Sequence, residues 1–394
     1  MESAYVCETV RLATGRRGGR LSTFHPADLG GIVLDALVER SGCDPSAIDD
    51  VVFGCVSQIG PQTFNVARTS ILSSVLPDSV PGVSIDRQCG SSQQAVHFAA
   101  QAVLSGTQDV VIAGGVESMS MVPILSGMTV AVQAGMPGPF DGERIAARYP
   151  GEDFSQFVGA ERVGAKYGVT RDELVDFAAS SHERAIAATE AGAFKDEIWP
   201  IDVPDGTGGT TVHDVDEGMR TPDRGRIDSL PPLVEGGLLN AAMASQVSDG
   251  ASAVLIANER GVERHGLRPI ARITAMSVVG SDPTMVLEGP IPATRRVLDI
   301  AGLTIDDIGL YEVNEAFGTV PLAWVKALGA DPARLNVNGG AQAIGHPLGA
   351  TGTKLIGTLV HELRRRGERR GLVAICEGLG TANATIIEVL QEDS

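Results

Sequence analysis

The sequence predicts an α/β fold in which a mostly parallel sheet is covered by helices on both faces. Short apolar runs rich in Val and Ile alternate with longer segments of helical periodicity along most of the 394 residues, an alternation typical of such sheets. With 48 Gly and an aromatic content of only 4%, we expect a core of small and aliphatic side chains joined by tight turns. Residues 80–115 and 335–380 both run strand, turn, helix, strand and glycine-rich end, which predicts two similar halves related by a pseudo-dyad.

In the first third of the chain, hydrophobic periodicity predicts four strands and three helices. The first helix is supported by Leu29, Ile32, Val33, Ala36 and Leu37, which share one face at helical spacing. An Arg- and Gly-rich turn at 15–20 separates this helix from the first strand. The predicted strands are 4–12, 48–54, 80–85 and 109–115, and the predicted helices are 28–41, 65–76 and 93–104.

The middle of the chain departs from this alternation. Met, Gly and Pro accumulate from 119 to 151, and a Gly/Asp/Thr-rich stretch at 205–226 has no usable periodicity. A single strong helix is predicted at 171–190, with Thr170 as its N-cap. Excursions of this length often carry substrate contacts, although a structural or oligomerising insertion has the same appearance.

The last third returns to strands and helices and completes the domain prediction. Strands are predicted at 251–258, 270–277, from 310 onward and at 372–375, and helices at 293–301, up to about 328 and at 353–366. The chain is too long for one simple core. We expect an N-terminal half (1–117 with 249–270), an excursion (118–248) and a C-terminal half (271–394).

Composition excludes several classes of function. A net charge of −18 argues against nucleic acid or an anionic membrane as a partner, and a polyanionic small ligand would need a local basic patch. Five Cys without a C-x-x-C pair and seven His without ligand spacing predict neither a disulfide framework nor a metal site. The N-terminus lacks signal-peptide features, and no run reaches the roughly 20 apolar residues of a membrane span. We expect a cytoplasmic protein.

Cys89 lies where the strand at 80–85 passes into the helix at 93–104. The unpaired backbone N–H groups and the positive end of the helix dipole at such a position favour a thiolate, which is the nucleophilic form of cysteine. The alternative is an inert core residue, because free Cys is usually buried.

Two further side chains occupy glycine-rich turns in the other half. His346 lies in a turn with glycines at 339, 340, 345, 349 and 352, and Cys376 ends an apolar strand before Gly378 and Gly380. If the turns meet at one sheet edge, His346 would activate one thiol as a nucleophile. The other thiol, with a pKa of roughly 8.5, suits transfer of a weakly acidic C–H proton. This combination indicates acyl transfer with making or breaking of a carbon–carbon bond.

Six sequence blocks, which span nearly the whole chain, resemble the thiolase family in both content and order. The asparagine–glutamate and glycine–histidine–proline blocks are highly specific in combination. The blocks are QCGSSQQA at 88–95, GGVESM at 114–119, ASQVSDG at 244–250, VNEAF at 313–317, NGGAQAIGHPLGATG at 338–352 and CEGLG at 376–380. The resemblance implies a five-layer αβαβα fold with an inserted loop domain.

The resemblance also implies a division of catalytic roles. Cys89 would carry the acyl group as a thioester after His346 has removed its proton, and Cys376 would move the proton of the acetyl α-carbon. Asn314, through a held water, and His346 would stabilise the enolate oxygen. The backbone N–H groups of Cys89 and Gly378 would form the oxyanion hole of the acyl-enzyme, where such donors contribute roughly 3–4 kcal/mol each.

Coenzyme A is implied as a co-substrate, with no permanently bound cofactor and acyl-CoA as the other ligand. The excursion would hold it, with Ser245 near the pantetheine and Arg220 near the nucleotide end. Arg224 and Arg226 are close alternatives to Arg220, and these arginines would provide positive charge for a phosphorylated ligand in an acidic protein. Thiolases are dimers or tetramers, so a homodimer or homotetramer is also implied.

The sequence departs from the usual thiolase pattern at several positions. Ser92 stands where Gly is common, Glu377 and Leu379 interrupt the run after the second cysteine, and Ala242-Met243 replace Gly-Asn. Glu377 would raise the pKa of Cys376 if its carboxylate points inward. The His-Met pair of biosynthetic enzymes is absent near 155–158. These departures favour a degradative 3-ketoacyl-CoA thiolase, with a bulky or branched acyl group among the candidates.

Three alternatives remain at the level of sequence. A biosynthetic acetoacetyl-CoA thiolase shares the same catalytic set. A decarboxylative ketoacyl synthase would usually have no second cysteine, so Cys376 argues against it. A thiolase-like protein that binds acyl-CoA or lipid without turnover would not require the full reactive set.

Overall fold

The computed structural model describes residues 2–390. Its strands are β1 (Tyr5–Leu12), β2 (Gly15–Arg16), β3 (Asp50–Gly54), β4 (Gly82–Ile85), β5 (Val110–Ser118), β6 (Ile198–Trp199), β7 (Ile201–Pro204), β8 (Thr210–His213), β9 (Ser248–Ala257), β10 (Ala271–Gly280), β11 (Leu310–Val313), β12 (Arg370–Glu377) and β13 (Thr381–Val389). Its α-helices are α1 (Pro26–Ser41), α2 (Val66–Leu72), α3 (Ser91–Leu104), α4 (Ser126–Gln133), α5 (Glu143–Arg148), α6 (Gln156–Lys166), α7 (Arg171–Glu190), α8 (Arg224–Ser229), α9 (Glu259–His265), α10 (Pro290–Ala301), α11 (Thr319–Leu328), α12 (Ala341–Ile344) and α13 (Thr351–Arg366).

Eleven of these strands form one mixed sheet. The main path runs β11-β12-β13-β10-β1-β9-β5-β3-β4, with β2 paired to β9 and β6 to β1. Pairing is parallel between β3 and its neighbours and between β11 and β12, but antiparallel through the centre. The prediction of a mostly parallel sheet is therefore wrong. One cause is the three-residue connection between β12 and β13, which is too short for a parallel crossover.

Five layers are arranged around two central helices. One core cluster combines α3 and α13 with strands from both ends of the sheet, as in Ala99, Val111, Leu359 and Val373. A second cluster packs α1 and α2 on the outer face of the N-terminal strands, and a third packs α10 and α11 on the outer face of the C-terminal strands. The predicted αβαβα arrangement of two similar halves is confirmed. Twelve of the sixteen residues of α13 are buried, as expected for a helix enclosed on all sides.

Several local predictions are refined by the structure. The capping box of Thr170 and Glu173 begins α7 as expected, whereas α2 ends at Leu72 rather than at 76. β4 is an edge strand that is only partly buried. Within 205–226, where no periodicity was visible, the chain forms β8 and the start of α8. The strand β13 was not predicted, because small residues occupy its first half.

Across residues 2–390, no helix is both long and apolar enough to cross a bilayer. The same residues contain no group of three or more His, Cys, Asp or Glu side chains arranged to hold a metal ion. All five cysteines are free thiols.

Candidate active site

The turn that presents Cys89 is held by short polar contacts between β4 and α3. The carboxylate of Asp86 accepts a hydrogen bond from the backbone N–H of Gln88 at 2.6 Å. The Ser91 hydroxyl accepts from the N–H of Arg87 at 2.9 Å and donates to the carbonyl of Gln88 at 2.6 Å. Gln88 has a φ of +48°, in the left-handed region that non-glycine residues rarely adopt. These contacts fix the backbone on both sides of the thiol.

The environment of Cys89 favours the thiol rather than the thiolate. Burial raises the pKa of Cys89 to about 12, and the nearby carboxylates of Glu377, Glu117 and Asp86 act in the same direction. A helix N-terminus contributes about 0.3–1 kcal/mol, which moves a pKa by less than one because one pKa step corresponds to about 1.4 kcal/mol. The expectation of a resting thiolate is therefore corrected, and Cys89 needs a base to become a nucleophile.

The turn after Cys376 lies directly against the Cys89 turn. A Cβ placed on Gly378 would lie 3.0 Å from Oε1 of Gln88, and one placed on Gly90 would lie 1.9 Å from Oε1 of Glu377. Glycine at both positions thus allows the two turns to come into contact. The turns that carry Cys89 and Cys376 therefore lie in contact, although they are far apart in the sequence.

Cys376 and Glu377 are both fully buried. Burial raises the pKa of Cys376 well above its ordinary value, and Cys89 and Glu377 add to the effect. Burial also raises the pKa of Glu377 to about 8, although Thr381, the charge of Arg87 and the backbone of Asn383 act to lower it. The Glu377 carboxylate is buried, which meets the condition under which it would raise the pKa of Cys376.

The hydrogen bonds of His346 define which ring nitrogen carries the proton. The Thr351 hydroxyl donates its single proton to the carbonyl of Pro347 at 2.8 Å. At 2.6 Å from His346 Nδ1 the same hydroxyl must therefore accept, so Nδ1 is protonated. Nε2 then has a free lone pair, which accepts from the Asn314 amide at 3.3 Å. The backbone N–H of His346 donates to the Ser248 hydroxyl at 3.1 Å.

His346 is neutral at physiological pH. Burial, assisted by the positive charge of Lys354, lowers the pKa of His346 to about 3. A neutral imidazole with an unprotonated Nε2 is the form that takes a proton from a thiol.

A pocket of about 130 Å³ brings Cys89, His346 and Ser245 together. Asn314 reaches this pocket through its contact with His346. Cys376 and Gly378 do not line the pocket, but their turn lies against the turn that carries Cys89. The remaining lining is mostly apolar and comprises Met119, Ile124, Gln156, Phe157, Ala244, Gln246, Val247, Ala316, Phe317 and Leu348.

The three candidate arginines differ in their surroundings. Arg220 is exposed and donates from Nη2 to Oε1 of Gln246 at 3.3 Å, beside the pocket. Arg224 forms ion pairs with Asp176 at 3.0 Å and Glu183 at 2.8 Å, both on α7. Among residues 2–390, Arg226 has an exposed side chain without an ion pair. Arg220 thus has a hydrogen bond to a residue that lines the pocket, and Arg224 is already engaged in ion pairs.

Sequence reasoning missed several residues that support the site. Buried Glu117 accepts four hydrogen bonds, two of them from the N–H groups of Val56 and Ser57, one from the Gln62 amide and one from the N–H of Gly349, each at 2.9–3.0 Å. Glu117 therefore joins the two halves. It stands in the GGVESM block, and that block was the one available signal. Thr351 and Ser248 likewise lie inside the recognised blocks but received no role.

The departure at Ser92 has a structural explanation. Its hydroxyl accepts from the backbone N–H of Thr353 at 3.1 Å and so links α3 to α13. Met243 is fully buried in the outer core beside α7, and the structure gives no reason for a methionine there in particular.

Comparisons with known proteins cover nearly the whole chain. Residues 4–260 match the family described as "Thiolase, N-terminal domain", and residues 267–389 match "Thiolase, C-terminal domain". Steroid 3-ketoacyl-CoA thiolase FadA6 of Mycobacterium tuberculosis is 52% identical over 391 residues, which cover 99% of this chain and 95% of that protein. Crystal structures of the Bacillus anthracis acetyl-CoA acetyltransferase and of human mitochondrial 3-ketoacyl-CoA thiolase both give TM-scores of 0.89, at 34% and 33% identity, with 99% of each chain covered.

Proposed function

The chain belongs to the thiolase family and is a degradative acyltransferase, and we propose that Cys89, His346 and Cys376 carry out its reaction. That reaction cleaves a 3-ketoacyl-CoA with free CoA to give acetyl-CoA and a shortened acyl-CoA. The observation that carries the proposal is the unprotonated Nε2 of His346 in the pocket that also contains Cys89. Neutral base and protonated thiol are the forms required at the start of the reaction.

In the first step, Nε2 of His346 accepts the Cys89 proton while sulfur attacks the 3-carbonyl carbon. The carbonyl oxygen takes up negative charge and accepts hydrogen bonds from the N–H groups of Cys89 and Gly378. The bond between C2 and C3 then breaks, and its electron pair forms the enolate of acetyl-CoA. Protonated His346 and Asn314, through a bridging water, stabilise the enolate oxygen.

Cys376 donates its proton to C2 of the enolate and releases acetyl-CoA. Its high pKa supports this role, because the thiol is protonated at rest and becomes a strong base after it has given up the proton. Free CoA then enters and loses its thiol proton to Cys376. The CoA thiolate attacks the thioester carbon on Cys89, and the Cys89 sulfur leaves and recovers its proton from His346.

The acyl group is proposed to be bulky and apolar. The FadA6 relative is named for steroid 3-ketoacyl-CoA, and the pocket is lined by Phe157 and Phe317, whose rings meet edge to face at 5.7 Å. Apolar surface continues outward from Ile124 along α4, which buries none of its residues. The exposed side chains there are Leu125, Val130, Val132 and Met136.

CoA is proposed to lie along the excursion, with Ser245 near its pantetheine and Arg220 near its phosphates. The contact of Arg220 with Gln246, a pocket residue, supports this choice over Arg224. Arg220→Ala should raise the KM for CoA several-fold at nearly constant kcat. A larger increase of this KM in Arg226→Ala would show that Arg226, rather than Arg220, binds the phosphates of CoA.

The domain boundaries and the assembly are also proposals. The end of β5 at Ser118 and the start of β9 at Ser248 support the excursion at 118–248.

A homodimer through the open edge of β4 is supported by apolar side chains around it, since Val83 is 43% exposed and Phe64 is 91% exposed. Sedimentation at micromolar concentration would distinguish monomer, dimer and tetramer. Five free thiols favour a reducing compartment such as the cytoplasm.

The test of function is thiolysis with a panel of 3-ketoacyl-CoA substrates from four carbons to steroid size. We expect formation of acetyl-CoA, an acyl adduct on Cys89 by mass spectrometry and the highest kcat/KM for large apolar acyl groups. Preference for acetoacetyl-CoA would indicate a biosynthetic enzyme. Binding without an adduct would indicate a non-catalytic protein, and consumption of a malonyl thioester would indicate a ketoacyl synthase.

A further inference from the structure

A buried lysine lies directly behind the turn that carries His346. Lys354 is 3% exposed, and its Nζ donates to the carbonyl of Ile344 at 2.6 Å, to that of Gly345 at 3.0 Å and to the Thr14 hydroxyl at 3.0 Å. Two of these acceptors are the peptide carbonyls immediately before His346. No step proposed for the reaction uses this side chain.

The turn needs such a donor because of its own geometry. α12 is a single turn of four residues, and the last carbonyls of a helix have no partner within it. Gly345 then takes a φ of +79°. The turn is also tightly enclosed, since a Cβ on Gly345 would lie 2.5 Å from the Ser248 hydroxyl and 2.7 Å from Cγ2 of Thr14. Lys354 therefore supplies the hydrogen bonds that α12 lacks.

A network of buried charges surrounds Lys354. Arg11 binds both oxygens of Asp216 at 2.7 and 2.9 Å and Glu197 at 2.6 Å. The backbone N–H of Thr14 donates to Asp216 at 2.6 Å, so Thr14 bridges the lysine and this carboxylate. The charge of Glu312 on β11 also acts on the lysine. We expect the network to keep its internal pairing if Lys354 is replaced, because Arg11 contacts Asp216 and Glu197 directly.

We propose that Lys354 is a positioning residue for His346: by holding the carbonyls of Ile344 and Gly345 it sets the place and orientation of the imidazole relative to Cys89. The proposal rests on the assignment of His346 as the base. Burial lowers the pKa of Lys354 to about 7, although the negative charge of Asp216 acts to raise it. The lysine thus occupies a site that disfavours its charged form. The hydrogen bonds of Lys354 go to Ile344, Gly345 and Thr14, none of which lines the pocket.

The test is Lys354→Met in the full-length enzyme, because methionine keeps most of the volume and removes the donors. The rate of acetyl transfer from acetyl-CoA to Cys89, followed by intact mass, should fall about tenfold or more, since small misplacement of a catalytic group is costly. The kcat for thiolysis should fall with it, while the KM for CoA stays within about twofold. Lys354→Arg should recover part of the rate, because a guanidinium can also donate to both carbonyls.

Thr358→Val is the matched control. Thr358 lies one helical turn further along α13 and donates to Glu197 at 3.1 Å, so it belongs to the same network but does not contact the His346 turn. We expect this variant to lower the melting temperature while it leaves acylation within about twofold of the parent.

A folded Lys354→Met enzyme that acylates Cys89 at the parent rate would overturn the proposal, as would an equal rate loss in Thr358→Val. If Lys354→Met does not fold, the Thr14→Val variant provides the test, because it removes one of the three hydrogen-bond acceptors of Lys354 Nζ. We expect it to slow acylation of Cys89 about threefold. An unchanged acylation rate would reject the positioning role. The Cys89→Ala variant distinguishes a failure of the proposed function from a failure of the positioning role. If Cys89→Ala still catalyses thiolysis, the proposed function is wrong. If Cys89→Ala is inactive but Lys354→Met acylates Cys89 at the parent rate, only the positioning role is wrong.

Discussion

The two reactive turns present a cysteine in different ways. Cys89 precedes a fourteen-residue helix and lines the pocket, whereas Cys376 precedes a three-residue turn into an antiparallel strand and is fully buried. Both thiols have a raised pKa. The difference in access suits one thiol to bond with the substrate and the other to exchange only a proton. Position in the fold, rather than thiol acidity, distinguishes the two.

The largest effects should come from exchanging the thiols themselves. Cys89→Ala should abolish both acyl uptake and thiolysis, by roughly a thousandfold or more, because loss of a nucleophile removes the covalent route. Cys376→Ser should still take up acetyl groups from acetyl-CoA on Cys89 but should lose cleavage of the carbon–carbon bond. Intact mass and a thiolysis assay measure the two steps separately. Loss of acyl uptake in Cys376→Ser would show that Cys89 and Cys376 do not have separate roles in acyl transfer and proton transfer.

The next effect concerns His346, the proposed base for Cys89. Thr351→Val removes the acceptor that fixes the Nδ1 proton of His346, so the imidazole can present a protonated, unreactive Nε2 to Cys89. We expect acylation to slow about tenfold or more at unchanged KM for CoA, since a wrong tautomer impairs a general base. Thr351→Ser, which keeps the hydroxyl, is the control. Equal rates in the two variants would refute the tautomer argument.

A smaller effect, on stability, comes from Glu377 between the turns. Its pKa is about 8 in the folded protein and roughly 4.3 in an unfolded chain. Between these values the folded state retains a proton that the unfolded state has released, so stability should fall as pH rises from about 4.3 to 8. Glu377→Gln should reduce this slope in melting temperatures measured across the range. If the melting temperatures of the parent and of Glu377→Gln changed equally with pH, another titratable group would be responsible for the pH dependence.

The smallest effect should come from backbone strain. The strained residue precedes the cysteine in the first turn and follows it in the second turn. Gln88 and Leu379 have φ values of +48° and +62°. Leu379→Gly removes a cost of about 1–2 kcal/mol but adds about 0.5–1 kcal/mol of unfolded-state entropy, so a slight net stabilisation is expected. Gln88→Gly loses in addition the amide contacts to Asp86 at 3.1 Å and should gain less. Thermal unfolding of both variants measures the difference, and a larger gain at Gln88 would contradict it.

The sequence was informative where chemistry depends on local pattern. Cys89, His346 and Cys376 lie in turns or strand ends whose glycines and apolar flanks are visible along the chain, whereas Asn314 and Ser245 followed only from the resemblance to thiolases. The structure places Cys89, His346 and Ser245 in one pocket, with Asn314 beside His346. Their roles remain predictions. The five-layer arrangement followed from the resemblance and is confirmed.

What the sequence could not reveal depends on contacts between distant residues. The antiparallel centre of the sheet was missed because strand direction follows from connections and partners rather than from periodicity. The pKa of Cys89 was predicted in the wrong direction because Glu377, 288 positions away, and burial outweigh the local helix end. Lys354 resembles any lysine in a helical segment, and only the structure places its ammonium group against the His346 turn.

The buried position of α13 has a consequence for biosynthesis. This helix and the strands β12 and β13 occupy residues 351–389, so the central layer is completed only after these residues have been synthesised. Until then Glu117 lacks one of its four donors, the N–H of Gly349, and the inner face of α3 has no partner helix. We therefore expect the N-terminal half to expose apolar surface of α3 during synthesis, and Cys89 to lack its proposed base until His346 and the turn around it have been made.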